Sequence, residues 1–275
     1  MPDLRIWQGE RPVAQVGAND RGLAYGDGLF ETVRVTAGRP VLMEQHWVRL
    51  SAGCQRLGIP ELAFWRQACG DFLAGRGDGV LKLLVTRGGG GRGYLAPTDP
   101  QPTLLLSWHE LPPVPAAWTQ DGIAVGDCGL GLARQPALAG IKHLNRLEQV
   151  LLRRELAQQP GCAEALVCDS EGWVVEGVAS NVFVARDGVW HTPDLAACGV
   201  RGVLRDALLD ALLEHEIDVR VAPLRPADCR AADEWFFCNS VNGIWPVARW
   251  RDRTWRPGPM TRQCQAIIAP WFARP

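Results

Sequence analysis

Three prolines stand within nine residues in "ELPPVPAAW" (Glu110–Trp118). Proline fixes φ and removes a backbone donor, so such a run is barred from a central strand or a helix interior. It reads as an extended linker. The linker (110–118) divides the 275 residues into an N-terminal domain over 1–109 and a C-terminal domain over 119–275. Each is long enough to bury its own core, and 47% of the residues are hydrophobic.

Both halves mix strands with helices. "LRIWQGERPVAQV" (Leu4–Val16) reads as a hairpin, and "LFETVRVTAGRPVLM" (Leu29–Met43) as strands around an "AGRP" turn. Apolar Trp47, Leu50 and Leu57 share one helical face over Glu44–Leu57, with Gly58 as the stop, and a second helix is predicted over Glu61–Leu73. "VLKLLVTR" and "PTLLLSWH" are apolar enough for buried strands, separated by a glycine-rich loop. Beyond the linker, the pattern predicts a strand at "GIAVGD" and a long helix over Lys142–Gln158. It then predicts several strands from Glu164 onward, a helix over Gly202–Glu216 and a buried strand starting in "ADEWFFCNS". Strands outnumber helices in both halves, so the expected class is α+β, or mixed α/β. No G-x-G-x-x-G follows a strand, which argues against a dinucleotide domain.

Several function classes fall away. With 29 basic and 30 acidic residues there is no basic field for nucleic acid or an anionic membrane. No stretch reads as a secretion signal or a membrane span. The nine cysteines are scattered without a C-x-x-C pair, which fits free thiols in a reducing cytoplasm better than disulfides or a metal site. Tryptophan is abundant, and segments such as "VARWRDRTW" leave open whether they form an interface.

Only two of the 29 basic residues are lysines, Lys82 and Lys142. Arginine carries surface charge equally well, but it does not lose its proton near neutral pH and attack a carbonyl. Lys82 alternates with apolar neighbours and reads as an outward-facing strand residue. Lys142, in "AGIKHLNRLEQ", is either a solvated lysine at a helix start or an amine that holds an aldehyde cofactor. Pyridoxal phosphate would need a carboxylate for its ring nitrogen and a phosphate cup of helix-start amides, hydroxyls and an arginine. Glu176 in "VVEGVASN", the glycines of "GVRGVLRD", Asn239 with Ser240, and Arg49 supply one candidate for each part. Taken singly, each also has an ordinary reading, as an exposed carboxylate, capping glycines or a surface arginine.

Together, "AYGDGLFETVRV", "TRGGGGRGY", "LAGIKHLNRLEQVLLRRELA", "EALVCDSEGWVVEGVASNVF" and "ADEWFFCNSVNGIWPV" resemble the fold-type-IV pyridoxal phosphate enzymes. That family includes branched-chain and D-amino acid aminotransferases and aminodeoxychorismate lyases. The likeness spans nearly the whole chain, and "AGIKHLNRLEQ" is most similar to the lyase branch. The resemblance implies a smaller N-terminal α/β domain, a larger C-terminal pseudo-barrel domain with helices, and a site in the cleft between them. It implies pyridoxal 5'-phosphate, a small-molecule substrate, no metal and a homodimer. Lys142 matches the Schiff-base lysine, Glu176 the ring-nitrogen carboxylate and Arg49 the phosphate arginine. Gly202, Val203 and Leu204 match the helix-start donors, with Leu204 lacking the hydroxyl common in the aminotransferases. Ser240 beside Asn239 matches the second phosphate turn, and Asn181 a residue near the ring. Arg92 matches a substrate-carboxylate arginine, with Arg34 and Tyr94 as further substrate-side candidates. The implied activity is conversion of 4-amino-4-deoxychorismate to 4-aminobenzoate and pyruvate in folate biosynthesis, with amino-group transfer on the same scaffold as the alternative.

Overall fold

The structure is a computed structural model that describes residues 3–274. They form two compact units, one built from 3–112, 141–145 and 273–274, the other from 113–140 and 146–272.

The first unit contains β1 (Leu4–Gln8), β2 (Arg11–Val13), α1 (Arg21–Tyr25), β3 (Gly28–Thr36), β4 (Arg39–Pro40), α2 (Met43–Leu57), α3 (Phe64–Leu73), β5 (Gly79–Thr86) and β6 (Thr103–His109). Its strands make one antiparallel sheet in the order β2-β1-β6-β5-β3-β4. Side chains alternate across a strand, so Leu29, Glu31, Val33 and Val35 of β3 share the buried face. Phe30, Thr32 and Arg34 take the other. Helix α2 covers the buried face so closely that a Cβ on its Gly53 would lie 2.8 Å from the Leu29 side chain. It ends, as expected, on left-handed Gly58. The second helix opens at Phe64, three residues later than its sequence pattern implies.

The second unit contains α4 (Ala116–Gln120), β7 (Ile123–Asp127), α5 (Leu147–Leu156), β8 (Cys162–Cys168), β9 (Val174–Gly177), β10 (Asn181–Arg186), β11 (Val189–Thr192), α6 (Val203–Glu214), β12 (Val219–Val221), α7 (Pro226–Ala231), β13 (Glu234–Asn239), β14 (Gly243–Trp250), β15 (Arg253–Thr254) and α8 (Pro259–Phe272). The main strand order is β12-β11-β10-β13-β14-β7-β8-β9, with β15 on the side of β14. β9 and β10 stand five places apart in that order but are joined by only three residues, 178–180. A flat sheet would separate them by about 24 Å at about 4.8 Å per strand, whereas the connection reaches at most about 15 Å. The sheet must therefore curl, giving the half-barrel expected of this half.

The tryptophans account for much of this unit's core. Trp235 packs edge-on against Trp250 and Trp255, with ring centroids 5.5 and 5.4 Å apart. Trp250 and Trp255 are both buried. The "VARWRDRTW" segment thus turns its tryptophans into the core.

Two sequence expectations fail here. The proline run is not extended throughout, because Pro115 is followed by the short helix α4. The helix predicted over Lys142–Gln158 begins only at Leu147 and ends at Leu156, because the backbone around Lys142 is hydrogen-bonded elsewhere. Among the described residues no helix is long and apolar enough to cross a membrane.

Candidate active site

In the first unit, residues 141–145 pair with the start of β3. Phe30 N–H donates to the Lys142 carbonyl at 3.0 Å, and Leu144 N–H donates to the Gly28 carbonyl at 2.9 Å. Leu29 and His143 form an antiparallel bridge. Gly28 permits this approach: a Cβ there would sit 2.3 Å from the Val85 carbonyl oxygen and 2.7 Å from the Leu144 side chain. The Lys142 carbonyl is therefore anchored in sheet-like pairing that brackets the next residue, His143. Its ammonium lies 4.4 Å from the Phe30 ring centroid. Lys82, opposite Thr32 in the β3–β5 register, places its own ammonium 5.7 Å from the same ring. Both lysines of the chain thus share one aromatic partner.

On the buried face of the same strand, α2 delivers His46 and Arg49 to Glu31. Arg49 Nε donates to Glu31 Oε1 at 2.8 Å, and Arg49 Nη2 donates to Oε2. His46 Nδ1 approaches Oε2 at 2.6 Å. Burial would raise the Glu31 carboxyl, but the Arg49 charge and the hydrogen bonds from His46 and Arg49 prevail and hold it at about 2. Burial pushes the His46 imidazole down, so the ring is neutral and its Nδ1–H donates. That contact is a hydrogen bond, not an ion pair. The arrangement orients Arg49 by gripping two of its donors.

A pH dependence follows from Glu31. Its folded-state pKa lies below the ordinary carboxylate value of 4.5, so its stabilisation is complete above that value. It is lost as pH falls from there towards about 2. The melting temperature should hold between about pH 7 and pH 5 and then decline, more steeply than in Glu31→Gln. Parallel acid slopes for the two proteins in a calorimetric series would remove Glu31 as the cause.

The substrate-side candidates also lie in this unit. Arg34 is half-buried on the Phe30 face, and its Nε donates to Thr36 Oγ1 at 3.4 Å. Arg92 and Tyr94 project from the loop between β5 and β6, where Tyr94 is 89% exposed. Buried Arg21 secures this loop by donating to the carbonyls of Gly93, Tyr94 and Leu95 at 3.1, 2.9 and 3.2 Å. Asp27 pairs with the same guanidinium at 2.9 Å.

The second unit holds the remaining candidates. Glu176, on β9, is buried, and its Oε2 accepts from Val200 N–H at 3.0 Å. Asn181 Nδ2 donates to the Val200 carbonyl at 2.9 Å. The two side chains therefore hold Val200 by the peptide groups on either side of its α-carbon. Two residues on, Gly202 opens α6 with no side-chain cap, and Val203 and Leu204 form its first turn. First-turn amides without an internal partner suit an anion. Gly202 has no room for a side chain, because a Cβ would lie 1.9 Å from Asn181 Oδ1. At the end of β13, Asn239 Oδ1 accepts from Val241 and Asn242 N–H at 3.0 and 2.8 Å. This shapes the turn that contains Ser240. Asn239 Nδ2 donates to the Ala179 carbonyl at 3.3 Å.

The amino-transferase class IV family model matches residues 28–250. The chain belongs to this family. Within class IV it is 34% identical over 247 residues to an aminodeoxychorismate lyase of Vibrio harveyi, covering 88% of this chain and 90% of that one. The crystal structure of 4-amino-4-deoxychorismate lyase from Pseudomonas aeruginosa superposes with a TM-score of 0.92 at 46% identity, covering 96% of this chain and 98% of that one. A putative branched-chain-amino-acid aminotransferase of Methanocaldococcus jannaschii is 30% identical over 243 residues, covering 85% and 82%.

Within this class IV chain, sequence reasoning overlooked Glu31, His46 and Arg21. Glu31 carried a readable signal, since it occupies an inward position of β3 between Leu29 and Val33. An acid in a core register calls for a cationic partner. His46 and Arg49, three residues apart on α2, share the helical face that provides it. Arg21 carried no such signal, because its role depends on a loop more than seventy residues away.

Proposed function

We propose that this chain is an aminodeoxychorismate lyase, converting 4-amino-4-deoxychorismate to 4-aminobenzoate and pyruvate with pyridoxal 5'-phosphate, in folate biosynthesis. The likeness to the Pseudomonas aeruginosa lyase, 46% identical across 96% of this chain, carries the reading. The donor set fits the cofactor: Glu176 is a buried carboxylate fixed by a backbone N–H, and α6 starts without a side-chain cap.

In this reading Lys142 Nζ holds the cofactor covalently. Arg49, the amides of Gly202, Val203 and Leu204, and the Asn239–Ser240 turn hold its phosphate. Leu204 contributes only its backbone. Glu176 would keep the ring nitrogen protonated, and Asn181 steadies the residue that Glu176 binds, through the Val200 carbonyl. When bound, the cofactor supplies an electron-accepting ring beside the carbon that carries the substrate nitrogen. As a free amine, Lys142 Nζ would be the base for the proton on that carbon and the acid for the departing enolpyruvyl oxygen. Arg34, Arg92 and Tyr94 meet the substrate carboxylates, which guanidinium forks grip in pairs. The enzyme acts as a homodimer in the cytoplasm, a placement supported by nine cysteines that are all free thiols.

The test mixes cofactor-loaded protein with 4-amino-4-deoxychorismate and follows both products. Equal amounts of 4-aminobenzoate and pyruvate are expected. A parallel reaction offers D-alanine or leucine with 2-oxoglutarate, because the Methanocaldococcus jannaschii relative carries an aminotransferase name. Glutamate there, with no pyruvate in the first tube, would replace elimination by amino-group transfer.

A further inference from the structure

Glu164, on β8, is 2% exposed and belongs to none of the roles above. Its carboxylate accepts four hydrogen bonds. Oε1 takes Ala165 N–H at 3.0 Å and Val178 N–H at 2.8 Å. Oε2 takes Ala179 N–H at 3.4 Å and Ser180 Oγ–H at 2.5 Å. Burial pushes this carboxyl up, and those four bonds are what oppose the shift. A group so costly to bury calls for a reason to be there.

What Glu164 holds supplies that reason. Residues 178–180 are the whole connection between β9 and β10, and every one of them bonds to Glu164. Glu176 lies just before the connection and Asn181 just after it. Asn239 is tied to its middle, through the Ala179 carbonyl. Packing leaves no slack: a Cβ on Gly177 would meet Ser180 Oγ at 2.5 Å and the Glu164 carboxyl carbon at 2.8 Å. Three expected cofactor contacts therefore depend on a loop fastened by one side chain.

We infer that Glu164 is a positioning residue for the cofactor: by binding every residue of the 178–180 loop, it sets the spacing at which Glu176 and Asn181 clamp Val200. This rests on the pyridoxal phosphate reading but not on the lyase reaction. Glu164 acts only through its neighbours.

The test measures the dissociation constant for pyridoxal phosphate and the visible circular dichroism of the bound cofactor in the full-length wild type, Glu164→Ala, Glu164→Gln and Ser180→Ala. Loss of groups that orient the ligands of a metal site weakens binding by roughly 10–100-fold, and a support of this kind should act on a similar scale. That range is expected for Glu164→Ala, with an altered visible signal. Glu164→Gln keeps one carbonyl acceptor, and Ser180→Ala loses a single donor, so both should fall between Glu164→Ala and wild type. If Glu164→Ala does not fold, the two milder variants carry the test. Wild-type affinity and an unchanged visible signal in both, with only the melting temperature lowered, would reduce Glu164 to a packing role and overturn the inference. Neither measurement uses substrate. A wild type that binds the cofactor but releases no pyruvate would therefore end the lyase reading alone, whereas one that refuses the cofactor would end both.

Discussion

Lys142→Ala should abolish pyruvate release. A single proton-transfer group contributes roughly 10²–10⁴-fold to rate, and Lys142 is assigned covalent attachment, proton removal and proton donation together. The loss should therefore exceed that range and reach the detection floor. Its position leaves no substitute, because residues 141–145 are hydrogen-bonded to the start of β3 and cannot shift to bring another amine forward. Lys82, the other lysine, sits over the same Phe30 ring but on a different strand. Borohydride treatment of the loaded wild type should fix the cofactor's mass on the Lys142 peptide. Recovery of that mass on the Lys82 peptide, or more than about one per cent of activity in Lys142→Ala, would reverse the assignment.

Glu31→Gln should be strongly destabilising. It removes the charge that compensates Arg49, whose side chain is 12% exposed. Breaking a buried pair from one side leaves an uncompensated charge and costs about 3–5 kcal/mol. For a chain of this size that lowers the melting temperature by on the order of 10 °C. Cofactor affinity should fall too, since the glutamine keeps one carbonyl acceptor and Arg49 loses half of the two-point grip that orients it. Thermal unfolding gives the first number and cofactor titration the second. A melting temperature within about 2 °C of wild type would mean that Arg49 finds another partner at no cost.

Much of the second unit's candidate set was legible because its residues cluster along the chain. Glu176 and Asn181 flank one tight connection, and the glycine-opened helix after "GVRG" announces itself by composition. The scarcity of lysine marked Lys142 as a candidate for chemistry, but its local structure was not legible. Helical propensity over 142–158 is real, yet the backbone of 141–145 gains its hydrogen bonds from β3, more than a hundred residues earlier in sequence. Propensity carries no information about such pairing.

Sequence alone determined the mixed class, most of the longer strands and helices, and which residue types could hold an aldehyde cofactor, because periodicity, turn chemistry and side-chain chemistry are local properties. Tertiary structure decided which partners those residues keep. The Glu31 grip on Arg49, the Arg21 hold on the 93–95 loop and the Glu164 fastening of residues 178–180 all join groups distant in sequence. Each depends on strand order and on which face of a strand looks inward, and a buried charge reveals its purpose only once its partner is in place.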